Sequence, residues 1–307
     1  MSQSSISNIL ATVRNTLYEE FVPLHMGIGH FPRNEIINHN LIILQGLFGG
    51  EEEGRQRAIV ICDGTYVYLQ KSSNYLFQKK SYSLHKYRNL LKPFLMVTTD
   101  GHILDIYSPY AATVSDADIM KQLFENESNE LRQYFRRGDV FILDRGFRDS
   151  INLLRSLNYN VYKPESLEHG ETQLPTLKAN MSRHVTMCRW VVEIVNGRFK
   201  RDFKILRNDF SNNAATHVMM DFKIAGAIIN AFHVPITDRP DAPLILEHAL
   251  QRLHVPNELA DFVIENNINR RRASFVNIDA EQILIDEFPV MTKSDLILFA
   301  LGTEILN

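Results

Sequence analysis

Two short runs of uninterrupted apolar residues, each stopped by an aspartate, constrain this chain more than any other feature. Ala58-Ile59-Val60-Ile61-Cys62 ends at Asp63-Gly64, and Val140-Phe141-Ile142-Leu143 ends at Asp144. A strand with one wet face alternates apolar and polar residues, so a run with no polar break predicts a strand buried on both faces. Such strands need helices above and below them. The predicted class is therefore α/β: a mixed sheet flanked by helices. Between the two runs, Pro93–Thr99 and His102–Tyr107 flank Asp100-Gly101, a pattern that predicts an antiparallel hairpin with a two-residue turn and no further role for Asp100.

Helical periodicity fills the rest. Residues 4–17 place Ile6, Ile9, Leu10, Val13 and Leu17 on one face, with Ser2 or Ser4 as cap. Pro32 introduces a helix over Arg33–Phe48, stopped by Gly49-Gly50, and Glu51-Glu52-Glu53-Gly54 reads as an exposed linker. Ser115-Asp116-Ala117-Asp118 caps a helix to Phe124, with both acids read as capping residues. A helix over 148–157 and a strand over Tyr159–Tyr162 follow the second apolar run. A polar loop over 165–180 then leads to a long helix over 182–203. Beyond Val234, helices are expected near 256–267, 279–286 and 292–301. This divides the chain into an N-terminal helical region (1–50), a central α/β domain (55–235) and an acidic helical C-terminal extension (236–307).

The composition of the 307 residues, 45% hydrophobic and 22% charged, is that of a globular protein. No apolar run approaches the roughly 20 residues that span a bilayer, so no membrane partner is expected. Two cysteines, Cys62 and Cys188, exclude a disulfide framework and a cysteine-rich zinc module, and point to an intracellular setting. Charge is unevenly spread. Residues 71–92 carry six Lys/Arg and no acid, and residues 183–207 carry seven against two acids. From Val234 onward there are six basic and twelve acidic residues. Basic segments suit a polyanionic substrate, although solvated faces produce similar runs.

The predicted long helix holds an anomaly. From Met187 to Val195 only Arg189 and Glu193 are not apolar. Arg189, Glu193, Asn196 and Lys200 share an arc of about 60° on the helix. A carboxylate buried there needs a pairing partner or a metal ion. In open α/β sheets ligands gather beyond the carboxyl ends of strands, where Asp63 and Asp144 lie. On neighbouring strands the two would converge and resist joint ionisation, a conflict that a divalent cation removes. Glu193 could complete such a site, which could hold two ions for phosphoryl transfer. Plainer readings stand beside this one. Asp63 can be a turn residue, Asp144 can pair with Arg145, and Glu193 can pair with Arg189 or Lys200.

Specific motifs carry a resemblance. Cys62-Asp63-Gly64-Thr65-Tyr66-Val67-Tyr68, followed by Gln78-Lys79-Lys80-Ser81-Tyr82-Ser83-Leu84-His85-Lys86, resembles the first catalytic block of Harbinger-type (PIF/Harbinger) DDE transposases. Gly138-Asp139-Val140-Phe141-Ile142-Leu143-Asp144-Arg145-Gly146-Phe147 resembles the second block. Arg189, Glu193 and Lys200 match the third, with Thr186 where that family carries tyrosine. The resemblance covers roughly residues 1–235. It implies an RNase H-like fold, a catalytic and metal-binding triad of Asp63, Asp144 and Glu193, and two Mg²⁺ or Mn²⁺ ions. It further implies hydrolysis at transposon ends in double-stranded DNA, then strand transfer, with water and then a DNA 3′-hydroxyl as nucleophile. Arg189 and Lys200, with Lys86 and His85, would contact nucleic acid. Ser4–Leu17 is similar to the second helix of a helix-turn-helix, so the N-terminal region reads as a partial remnant of that motif. A Myb-like DNA-binding partner, a homodimer and a nuclear location are the accompanying expectations. The competing readings are a transposase-derived DNA- or chromatin-binding protein that no longer cuts, and a phosphatase or ribonuclease on the same fold.

Overall fold

In the computed structural model, which describes residues 2–50, 56–167, 169–171, 173–212, 214–256, 258–267 and 292, both apolar runs are central strands. Seven strands form one sheet: β1 (Ile59–Gly64), β2 (Val67–Leu69), β3 (Tyr82–Ser83), β4 (Arg88–Thr98), β5 (Ile103–Ala111), β6 (Val140–Ile142) and β7 (Asn160–Tyr162). Across the sheet the order is β5, β4, β1, β6, β7, with β2 and β3 flanking the start of β4. The β5-β4-β1 side is antiparallel and the β1-β6-β7 side is parallel. This is an RNase H-like mixed sheet.

The uninterrupted apolar runs have the cause inferred from them. Ile59 and Ile61 face one core while Val60 and Cys62 face the other, and all four are fully buried. In β6, Val140 and Ile142 join the first core and Phe141 the second. Before the sheet come α1 (Gln3–Thr16), a π-helical turn (Leu17–Phe21), α2 (Val22–His25), α3 (Arg33–Asn38) and α4 (Ile42–Phe48). Then follow α5 (Tyr75–Ser81), α6 (Asp116–Glu125), α7 (Glu130–Tyr134), α8 (Ile151–Ser156), α9 (Thr176–Cys188), α10 (Trp190–Asp202), α11 (Val218–Phe232) and α12 (Ala242–Arg252). The first core takes residues of α4, α10 and α11, among them Phe48, Val192, Phe199 and Phe222. The second takes residues of α3, α6, α7 and α8, among them Ile36, Phe124, Leu131 and Leu154. Burying Val191, Val192, Val195 and Phe199 at about 1.5–3 kcal/mol each fixes α10 on the sheet whatever its polar stripe does. A separate compact unit begins at Val255 and contains α13 (Glu258–Glu265). Among the described residues no helix is long and apolar enough to cross a membrane.

Several predicted elements differ in detail, each for a tertiary reason. The helix expected over Arg33–Phe48 is two helices. At its break the Thr99 hydroxyl donates to His39 O (2.7 Å) and accepts from Leu41 N–H (2.8 Å), while Asn40 Nδ2 donates to Arg57 O. The hairpin turn is not a two-residue one. Thr98 N–H donates to His102 O, Gly101 N–H donates to Thr98 O, and Gly101 has φ +83°, so a three-residue loop closes on a left-handed glycine. Asp100 also does more than turn: it pairs with His39 and accepts from Thr98 Oγ1. The loop predicted over 165–180 gives way to α9 at Thr176. The helix after β6 begins as a 3₁₀ segment, Arg145–Ser150, and becomes α-helical at Ile151. The long helix of 182–203 breaks at Arg189. Helix α1 is capped by Ser2 as expected, yet buries no residue; Arg14 ties it to Asp221 (2.6 Å). The predicted linker at 51–54 and the helices near 279–286 and 292–301 fall outside the described residues, apart from Thr292.

The Asp100–His39 pair gives stability a pH signature. The bond to Asp100 raises the His39 pKa, so its stabilisation is complete below the unfolded value near 6.5 and disappears as pH rises through the folded value. His39 and Thr98 hold Asp100 below its usual range against the effect of burial, so its share is lost only as pH falls through that lowered value. Neighbouring His102 is kept neutral, its pKa pushed to about 4 by burial and by His39. Thermal melts of His39→Ala should show a deficit on the order of 1 kcal/mol at about pH 6 that shrinks at about pH 9. A deficit independent of pH would refute the pairing.

Candidate active site

Strand parity aims the two aspartates. Side chains alternate along a strand, so Asp63 shares the face of Ile59 and Ile61, and Asp144 that of Val140 and Ile142. In the β1–β6 register Ile61 lies opposite Ile142. Two residues further on, Asp63 comes level with Asp144, on the face covered by α10. One guanidinium meets both: Arg189 Nη2 lies 3.8 Å from Asp63 Oδ1 and 3.4 Å from Asp144 Oδ2. Asn196, two turns along α10, donates its amide to Asp63 Oδ2 at 3.3 Å. It belongs to the polar stripe but was given no role from sequence. Asp144 also accepts the backbone N–H of Arg145 and so caps the 3₁₀ segment; its ion-pair partner is Arg189 rather than Arg145.

Glu193 is placed differently from expectation. Its side chain is exposed, not buried in the helix. Helix α10 turns Val191, Val192, Val195 and Phe199 to the core and Glu193, on the polar stripe, outward. Arg189 pairs with the two aspartates and not with Glu193. Glu193 still acts on Asp63 through its charge. Burial raises the Asp63 pKa to about 7; Arg189 opposes the rise, and Glu193, Asp116 and Asp144 add to it. Asp63 is thus a carboxylate short of positive charge.

A fourth carboxylate was misread as a simple cap. Ser115 and Asp118 form the cap of α6: the Ser115 hydroxyl accepts from Asp118 N–H (3.1 Å) and donates to the Asp118 carboxylate (2.6 Å). Asp116 turns inward instead and lies 3.2 Å from the Nζ of Lys92, which also donates to Val114 O. Lys92 is buried, so it is lost to the basic surface counted from sequence. The space that Asp116 occupies exists because a glycine, Gly64, follows the strand-end Asp63. A Cβ on Gly64 would stand 2.3 Å from Asp116 Oδ1, and one on Gly146 would stand 3.7 Å from Oδ2. Through this gap Asp116 reaches the strand end from the opposite face of the sheet. The sequence signal for this contact is the glycine of Asp63-Gly64.

The remaining candidates are not gathered at the carboxylates. Lys200 is exposed near the end of α10, and His85 and Lys86 are exposed at the turn between β3 and β4. Thr186, where the resemblance expects tyrosine, donates its hydroxyl to Ser182 O within α9 (2.9 Å). Among the described residues, no three His, Cys, Asp or Glu side chains are drawn together as a preformed metal cage. The donor chemistry nevertheless fits a hard divalent ion: all the donors are carboxylate oxygens, and Asp63 and Asp144 converge on one cationic group. Arg189 Nε and Asn196 Oδ1, both buried beside them, have no hydrogen-bond partner.

Comparison with known proteins agrees with this architecture. A family model described as DDE superfamily endonuclease matches residues 62–230, more than half of the chain and the segment that carries Asp63, Asp144 and Glu193. No curated protein matches the chain. The Gly64 gap makes a prediction of its own. Gly64→Ala should cost about 1–3 kcal/mol of stability by forcing Asp116 off Lys92. In an Asp116→Ala background the same change should cost little, and additive losses in the double-mutant cycle would exclude the contact.

Proposed function

The chain belongs to the DDE superfamily endonucleases, and on that premise we propose that it cuts DNA by metal-dependent phosphoryl transfer, with Asp63, Asp144 and Glu193 as its triad. The observation that carries the reading is the convergence of Asp63 and Asp144 on one cationic group at adjacent strand ends, with Glu193 close enough to perturb Asp63. Asp63 and Asp144 would hold a divalent cation, Mg²⁺ or Mn²⁺, with Glu193 turning in from α10; a second ion would share the same carboxylates. Such an ion supplies a nucleophile at neutral pH and offsets charge on the phosphate. The protein's own groups do the rest. Asn196 orients the Asp63 carboxylate by its hydrogen bond. Arg189, displaced from the aspartates, would present its guanidinium to a phosphate oxygen. Lys200, Lys86 and His85 would lie along the flanking backbone.

The finer assignment goes with this reading. It comprises a Harbinger-like element or a host gene derived from one, hydrolysis followed by strand transfer, a Myb-like partner, a homodimer and a nuclear location. It is supported by the motif blocks around Asp63, Asp144 and Arg189–Lys200.

One observation favours a second reading, a DNA-binding protein that no longer cuts: Arg189 sits between the two aspartates, and the Glu193 side chain faces solvent. Nicking of supercoiled DNA during a Mg²⁺ or Mn²⁺ titration separates the two. Asp63→Asn, Asp144→Asn and Glu193→Gln should each reduce nicking by at least about 100-fold. Nicking that survives all three substitutions would remove the triad. DNA binding without Mn²⁺ uptake in calorimetry would establish the silent form.

A further inference from the structure

The turn between β3 and β4 is exposed along residues 84–87. Leu84 and Tyr87 are the most exposed large hydrophobic side chains described, at 80% and 79%. Tyr87 also has φ +53°, a left-handed conformation that a tyrosine adopts only at a cost. Isolated exposed apolar residues are ordinary. Two of them three residues apart on one tip, one held in strain, are not.

The tip stands on a rigid base. Asn89, buried at the start of β4, donates to Ser81 Oγ (2.8 Å) and accepts from Gln78 Nε2 (3.0 Å). Lys86 N–H donates to Ser83 Oγ at 3.3 Å. The tip also reaches the segment that follows Asp63. Lys86 Nζ lies 5.1 Å from the ring centre of Tyr66, three residues beyond Asp63. Burial raises the pKa of the Tyr66 hydroxyl, and Asp116, Asp63 and Asp144 add to that rise. Charge complementarity identifies the occupant. Lys71, Lys79, Lys80 and Lys86 are exposed on this segment, residues 71–92 contain no acid, and Arg88 stacks on Tyr68 while pairing with Asp209. A basic surface carrying exposed aromatic and aliphatic side chains fits a polyanion with flat apolar rings between its charges, which is DNA with an unpaired base.

We infer that the 84–87 tip is a wedge: Tyr87, backed by Leu84, stacks on an unpaired base next to the phosphate presented to the carboxylates, and Lys86 neutralises the adjoining backbone. The wedge makes locally opened DNA the preferred substrate over a continuous duplex. It rests on the DNA-cutting function proposed above.

Binding of the full chain in EDTA, where no cleavage occurs, tests it. The probes are a fluorescent duplex and the same duplex with a short unpaired bubble, read by anisotropy, with melting temperatures verifying the fold of each variant. The wild type should prefer the bubble. Tyr87→Ala should weaken bubble binding by about 5- to 150-fold while leaving duplex binding nearly unchanged. Leu84→Ser should act in the same direction, and Tyr87→Phe should keep the preference. Lys86→Ala should weaken both forms equally and reduce the salt slope by about one. Equal wild-type affinity for the two DNAs, or an equal loss on both in Tyr87→Ala, would overturn the wedge and leave the nuclease reading intact. Binding to neither DNA would overturn the wedge, whereas absence of nicking with Mg²⁺ or Mn²⁺ is what would overturn the nuclease reading.

Discussion

The parallel pairing of β1 with β6, with Ile61 opposite Ile142, is the constraint on which the site depends. It sets two aspartates level on adjacent strands, one of them largely removed from water. Burial raises the pKa of Asp63 to about 7, and the neighbouring carboxylates Glu193, Asp116 and Asp144 add to that rise. The neighbouring elements answer it. Arg189 turns in from a break between α9 and α10 to face both carboxylates, and Asn196 supports one of them.

A second buried aspartate shows what a purely structural one looks like. Asp139 is fully buried one residue before β6 and saturated by partners: the fork of Arg33, the Ala58 N–H at 3.0 Å and the Arg136 N–H at 2.7 Å. Its ion pair with Arg33 joins α3 to the strand edges and leaves no unmet oxygen. The candidate site has the opposite character. Arg189 Nε and Asn196 Oδ1 have no hydrogen-bond partner, and Asp116 Oδ1 faces Lys92 at 3.2 Å outside hydrogen-bond geometry. Unmet polar groups gather at these strand ends, whereas Asp139 is a closed joint.

Much of this could be read along the chain because the signals are local. Continuous apolarity over 58–62 and 140–143 reported burial on two faces and fixed the sheet's centre. Ser2 and Ser115 announced the helix starts that they cap. Other features were hidden because their causes lie far away in sequence. Thr99 breaks a helix 60 residues earlier by bonding His39. Lys92 looked like surface charge until α6 covered it, and Asp116 looked like a cap until a gap at Gly64 admitted it. Glu193 was expected inside, because a straight helix over 182–203 would have surrounded it with apolar neighbours. In the fold α10 meets the core with Val191, Val192, Val195 and Phe199, which leaves Glu193 on the exposed polar stripe.

The sequence by itself determined the α/β class, the two central strands and the aspartates that end them, because strand periodicity and turn chemistry act over a few residues. Tertiary structure alone decided which charges meet. Arg189 joins Asp63 across 126 residues of chain, and Asn196 joins it across 133. Asp116 reaches the site from the other face of the sheet. Such encounters are set by strand register and by where helices break, and both follow from packing that no local pattern encodes.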